Sequence, residues 1–172
     1  MNDIEIASEA VIHCIENARS FLNSAKILIE NQCYREAMLL TLYAGEEMGK
    51  VLLVINYPCY TTSDERINSW KKRFLDHTEK FLFLDQLDYL QQGFISKLFQ
   101  RDDVKHKNSR LEISYIDYRD GKFLKPRAVS QEEVTSSYND INRKLANMEK
   151  LHPNVERVKE QVVYLKELRN NI

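Results

Sequence analysis

The apolar residues between 5 and 30 recur with a 3.6-residue rhythm, and that rhythm limits the fold more than any other feature of the chain. Ala7, Val11, Cys14, Ala18, Phe21/Leu22, Ala25 and Leu28/Ile29 fall on one stripe. A helix buries such a stripe on one side, whereas a strand would divide it between two faces. Several members are small, so a neighbouring helix can approach closely. Asn31-Gln32 ends the segment. A second stripe starts at once, from Tyr34 to Asn56, through Ala37, Leu40, Ala44, Met48, Val51, Leu52 and Ile55. The short connection predicts an antiparallel helical hairpin. Only 4 Gly and 3 Pro occur in 172 residues, which fits long elements with few turns. Gly45 and Gly49 lie inside the second helix, each costing about 1 kcal/mol against alanine. Glycines four apart on one helix permit close helix contact.

The remaining chain follows the same rule. A third helix over about 65–91 carries Ile67, Trp70, Phe74, His77, Phe81, Leu84, Leu87 and Leu90, with an N-cap in Thr62-Ser63-Asp64-Glu65. Gln92-Gly93 interrupts it, and a fourth helix holds Phe94, Ile95, Leu98 and Phe99. Residues 111–125 change to two-residue alternation, and Asp120-Gly121 predicts a small β-hairpin near 113–125. Ser130-Gln131-Glu132-Glu133 is a capping box that opens a helix over about 131–151, with the stripe Val134, Tyr138, Ile141, Leu145 and Met148. His152-Pro153 breaks the chain before a last helix, 154–170, with Val155, Val158, Val162 and Leu165. These two stripes predict an antiparallel C-terminal pair over 131–170, or a surface for another subunit. Residues 1–172 thus read as a single all-α domain, an antiparallel helical bundle with a small β-hairpin insertion.

Charge and composition exclude several functions. The net charge of −1 gives no global attraction to nucleic acid or membrane. From Lys97 to Arg127, however, nine Lys/Arg stand against five Asp/Glu, a net of +4, and the remainder carries −5. Cys14, Cys33 and Cys59 are widely spaced and form no zinc pattern. The acidic start lacks a basic, apolar leader, and the longest apolar run, Val51 to Ile55, is too short to span a bilayer. A cytoplasmic protein without membrane contact is expected. A Gly-rich phosphate loop, a Gly-x-Ser-x-Gly elbow and a Cys/His nucleophile pair are all missing, which leaves nucleoside-triphosphate chemistry and acyl transfer unsupported.

The candidate chemistry lies in Lys-Leu-Phe-Gln-Arg-Asp-Asp-Val-Lys-His-Lys-Asn-Ser-Arg, residues 97–110. Arg101 is the one arginine followed by a histidine, His106, across four to six intervening residues, with Asp102 directly after it. Lys97, Lys105, Lys107 and Arg110 add positive charge. Histidine moves a proton near neutral pH, and arginine stabilises charge on a phosphorane, so the pair suits metal-free cleavage of a phosphodiester. A frayed, charged helix end has the same composition. On an undisturbed helix, five residues would turn Arg101 and His106 about 140° apart. They would then meet through a bend, a helix end or a second subunit.

Elsewhere, Glu46-Glu47 and Lys50 place acids in an apolar helix. Glu46 and Lys50, four apart, are spaced for a surface ion pair. Glu47 lies nearer the stripe and wants an Arg or His partner. His77, with Lys80 one turn later, reads first as a satisfied core histidine, and so does His13 beside Glu16. A di-metal bundle site normally takes Glu-x-x-His on two helices. Here the order is His13-x-x-Glu16, once, and the second helix has no histidine, so no metal and no cofactor are expected.

Three stretches resemble the AbiV family of abortive-infection proteins. They are His-Cys-Ile-Glu-Asn-Ala-Arg-Ser-Phe-Leu-Asn-Ser-Ala-Lys-Ile-Leu (13–28), Tyr-Arg-Glu-Ala-Met-Leu-Leu-Thr-Leu-Tyr-Ala-Gly-Glu-Glu-Met-Gly-Lys (34–50) and Phe-Leu-Asp-His-Thr-Glu-Lys (74–80). Ser-Tyr-Ile-Asp-Tyr-Arg-Asp-Gly-Lys-Phe-Leu-Lys-Pro (114–126) is similar to that family's Tyr-x-Asp, Gly, Pro segment. The resemblance spans roughly 10–150, and it implies a HEPN-type helical bundle and anti-phage defence. It further implies a metal-independent ribonuclease in which Arg101 and His106 are catalytic, Asp102 orients the arginine, and a homodimer completes the cleft. Glu47, Lys50, His77 and Lys80 fall on AbiV-type positions and would surround that cleft, with Lys105 and Lys107 helping to hold RNA. A phage-encoded activator or an antitoxin protein would be the other partner. The alternative is a HEPN module that binds a phage or host protein, or an antitoxin, without cutting.

Overall fold

The computed structural model describes residues 2–59, 63–77, 80, 84, 113, 117–119 and 122–170. The elements are α1 (Asp3–Glu30), α2 (Tyr34–Ile55), a 3-10 turn (Tyr57–Cys59), α3 (Asp64–Leu75), β1 (Asp117–Arg119), β2 (Lys122–Leu124), α4 (Gln131–Leu151) and α5 (Val155–Asn170).

The α1–α2 hairpin is the frame. Asn2 caps α1 reciprocally: its side chain accepts from the backbone N–H of Glu5, and its own N–H donates to the Glu5 carboxylate at 2.9 Å. At the other end Gln32 takes φ 61°, left-handed backbone that usually falls to glycine. Cys33 N then donates to Leu28 O at 2.8 Å and Gln32 N to Ile29 O at 3.0 Å, which closes the last turn and reverses the chain. The predicted stripes meet along the hairpin: Ala7, Val11, Ala18, Leu22 and Ala25 of α1 are fully buried, as are Ala37, Ala44, Met48 and Val51 of α2. Each large apolar side chain taken out of water there contributes about 2 kcal/mol.

The C-terminal helices lie against this hairpin. α4 packs on α1 and α2, and α5 packs chiefly on α1 and the 3-10 turn. Their buried stripes, Val134, Ile141, Leu145 and Met148, and Val158 and Val162, are those read from the sequence. The hairpin, rather than a mutual pair, is what these helices mostly bury against. At their joint His152 Nδ1 lies 2.6 Å from Gln161 Oε1, and Gln161 Nε2 donates to Leu151 O at 2.9 Å.

Three boundaries differ from the sequence reading. The expected helix 65–91 stops at Leu75. Asp76 is extended (ψ 116°), and helical backbone resumes at His77, with Lys80 N donating to Asp76 O at 3.4 Å. Only half of the Ser130 box forms: Ser130 Oγ accepts from Glu133 N at 3.1 Å, but the Glu133 carboxylate turns to Arg127 at 2.6 Å. A guanidinium outcompetes a backbone N–H for a carboxylate because it offers two charged donors. The paired strands are shorter than the predicted hairpin. Asp117 stands opposite Leu124, Tyr118 opposite Phe123 and Arg119 opposite Lys122, while Ile113 is helical.

Candidate functional site

Glu46, Gly49 and Lys50 share one face of α2, because residues three and four apart are neighbours on a helix. The same spacing puts His77 and Lys80 on one face of the turn that follows α3. These two faces meet. A Cβ on Gly49 would stand 1.9 Å from the carbonyl oxygen of Lys80 and 2.6 Å from its carbonyl carbon. Only a bare α-carbon lets the Lys80 backbone cross α2 there, so Gly49 fixes the crossing and everything around it.

Five charged or titratable side chains, Glu46, Glu47, Lys50, His77 and Lys80, converge at the crossing. Glu46 Oε2 lies 2.7 Å from His77 Nδ1. The pair is unequal, since the glutamate side chain is 7% exposed and the histidine 53%. Glu47 accepts a hydrogen bond from Lys50, and both are largely buried. Lys80 is buried, and its Nζ sits 5.8 Å from the centre of the Phe74 ring, with Lys50 Nζ 5.9 Å from the same ring. Phe74 stacks on Trp70 at 4.8 Å, and Trp70 Nε1 donates to Leu53 O at 2.9 Å, which pins α3 to α2. From α1, Cys14 faces this group. Burial pushes its thiol up to about 12, the Glu47 carboxylate adds to the rise, and Lys50 and Lys80 oppose it. Cys14 is therefore an unreactive small core residue, as its place in the stripe predicts.

The expected pairings are exchanged. Glu46 does not pair with Lys50 on the surface; Glu46 is the buried acid and takes the histidine. Glu47 takes Lys50 instead of an Arg or His. His77 is not a core residue, because Asp76 breaks the helix and the ring stands at the edge of the crossing. Glu46 was missed as a site residue. Its register with Leu42, Gly49 and Leu53, all buried, was the available signal. Of the predicted residues, Glu47, Lys50, His77 and Lys80 come together. Arg101, Asp102, Lys105, His106 and Lys107 lie outside the described residues, as does the whole 97–110 stretch.

Two further polar groupings among the described residues lie on α1. His13 and Glu16 pair at 3.3 Å on an exposed face of α1, and among the described residues no cluster of three His, Cys, Asp or Glu side chains is placed to hold a metal. Arg19 ties α1 to α4: Nε donates to Glu149 Oε1 at 2.9 Å, Nη2 to Oε2 at 2.7 Å and Nη1 to Asn142 Oδ1 at 2.7 Å. An open groove of about 410 Å³ runs beside this clamp, lined by Ser20, Asn23, Ser24 and Ile27 as well as Arg19 and Glu149. Of its three charged lining residues, Arg19 and Glu149 pair with each other and Glu16 pairs with His13. Among the described residues no helix is long and apolar enough to cross a membrane.

A family model described as AbiV matches residues 6–147. That span takes in the hairpin, the crossing, the 97–110 stretch and most of α4. No curated protein and no solved structure matches the chain.

Proposed function

The chain belongs to the AbiV family of HEPN proteins, with a HEPN-type helical fold, and from that premise we propose that it is an abortive-infection effector acting as a metal-independent endoribonuclease. One observation carries this reading. The Glu-Glu-Met-Gly-Lys segment and the His-x-x-Lys segment, separate in sequence, interlock at Gly49 into a single site with a half-exposed imidazole at its edge. Lys50 and Lys80 shape the potential from beneath, and the net +4 of residues 97–127 supplies the positive surface for RNA.

In this reading Arg101 holds the scissile phosphate, Asp102 orients that guanidinium and His106 transfers a proton. Attack by the ribose 2′-OH leaves a 2′,3′-cyclic phosphate and a 5′-OH without a metal. A homodimer brings Arg101 and His106 of two copies to one cleft, which removes the 140° separation expected on a continuous helix. Lys105 and Lys107 hold the RNA backbone, and loss of translation stops phage growth in the cytoplasm. A phage-encoded activator or an antitoxin would control the effector.

The test is cleavage of bacterial total RNA and tRNA in EDTA by the wild type, Arg101→Ala and His106→Ala. Cleavage by the wild type alone, with cyclic-phosphate ends, is expected. Identical RNA patterns from all three, with phage protection intact in the variants, would overturn it in favour of a HEPN module that binds a protein partner.

A further inference from the structure

Transesterification of RNA moves two protons: one leaves the 2′-OH and one reaches the departing 5′-oxygen. His106 is one imidazole. The crossing on α2 holds another, in the arrangement of a positioned base. The Glu46 carboxylate is buried at 7% exposure and meets His77 Nδ1 at 2.7 Å, while the His77 ring is 53% exposed. A carboxylate at Nδ1 fixes the proton of the neutral ring on that nitrogen, so Nε2 carries the lone pair. The backbone keeps this edge open. Asp76 ends α3 in an extended conformation, and His77 is the first residue of the next helical turn, with no preceding turn of its own helix to cover it. Gly49 then sets the height of the ring over α2 through the Lys80 backbone. At the Arg19–Glu149 clamp, by contrast, the two partners are exposed about equally, at 33% and 38%.

We infer that His77 is a second catalytic residue, the general base that takes the 2′-OH proton, with Glu46 as its positioning residue and His106 left to protonate the 5′-oxygen. This rests on the ribonuclease reading above. The 2′-oxygen bonds to phosphorus as Nε2 accepts its proton. The P–O5′ bond breaks, its electron pair stays on O5′, and that oxygen takes the proton from His106. Both rings then exchange with water, so no co-reactant is consumed. The substrate class is a phosphodiester with a free 2′-OH; DNA is not cut.

The full-length protein is given a short RNA with a linkage that the wild type cuts, made either with the natural oxygen or with a 5′-bridging sulfur. A thiolate leaves without a proton, so sulfur bypasses the acid and not the base. His77→Gln is expected to slow both substrates by about 100-fold or more. His106→Ala is expected to slow the oxygen substrate alike, and to recover to within about tenfold of the wild type on sulfur. Glu46→Gln is expected to lower kcat with KM unchanged, as a positioning role requires. The amide introduced by His77→Gln retains a side-chain donor for Glu46, and thermal melting verifies that each variant is folded. His77→Gln cutting at the wild-type rate while His106→Ala is inert would overturn the role of His77 and leave the ribonuclease standing. Recovery of His77→Gln on sulfur would overturn the base assignment. No cleavage by the folded wild type would overturn both readings.

Discussion

Two of the polar ties that join helices among the described residues are built differently. At the α1–α4 clamp, Arg19 meets Glu149 through two parallel hydrogen bonds and Asn142 through a third, and both charged partners are about one-third exposed. Three of the five guanidinium N–H donors are taken up within the clamp itself. At the α2 crossing the burial is lopsided: the acid lies inside and the imidazole stands half in water. Burying a carboxylate costs several kcal/mol unless partners compensate it. His77 is one partner that meets that need, and it does so from a ring that stands half in water. A group held rigidly with its reactive edge outward is what proton transfer requires.

The largest effect should come from adding one carbon to the crossing. Gly49→Ala must displace the Lys80 backbone, which costs about 3 kcal/mol, offset by about 1 kcal/mol of helix propensity. A net loss of about 2 kcal/mol in urea melts is expected, with RNA cleavage down at least tenfold because the imidazole moves. Unchanged stability would remove the crossing from the account. Arg19→Ala should cost about 1 kcal/mol, shrinking in high salt, with cleavage unchanged. The α4–α5 joint makes a third kind of tie, neutral on both sides. Burial holds the His152 imidazole below its usual range, and its bond to Gln161 partly opposes that. The folded state therefore resists a proton that the unfolded chain accepts near pH 6.5. Stability should fall as pH drops through that value and level off below the folded-state value, and His152→Gln should flatten this part of the pH–stability curve. The smallest effect concerns the hairpin turn: Gln32→Gly relieves left-handed strain and should raise stability by about 0.5 kcal/mol.

The frame was legible because it is local. A 3.6-residue stripe specifies a helix and its buried side, and Ala7 through Ala25 are buried where the stripe places them. The site was legible only in its residue types. Phe74, His77, Phe81 and Leu84 keep helical spacing straight through the break at Asp76, and a side-chain rhythm does not register one extended residue when no Gly or Pro marks it. Asp76 is a helix-capping residue type, and that was the available hint. Glu46 and Glu47 differ by only 100° around the helix, with apolar neighbours on both sides, so their partners depend on where another segment crosses. Nothing within α1 foretells that Arg19 reaches an acid 130 residues away. The half-formed box at Glu133 has the same origin: Arg127 sits just upstream, and the choice between a cap and an ion pair is made by the path of the chain before the helix.

The contrast between a tie that stabilises and a tie that acts comes down to Glu46→Gln beside Arg19→Ala, each assayed for thermal melting and for cleavage of bacterial RNA in EDTA. The account predicts opposite outcomes: Glu46→Gln melts near the wild-type temperature and cuts far more slowly, and Arg19→Ala melts several degrees lower and cuts normally at a temperature where it is folded. If cleavage instead follows the melting temperature in both variants, or survives intact in Glu46→Gln, the crossing on α2 is scaffold and the claim is wrong.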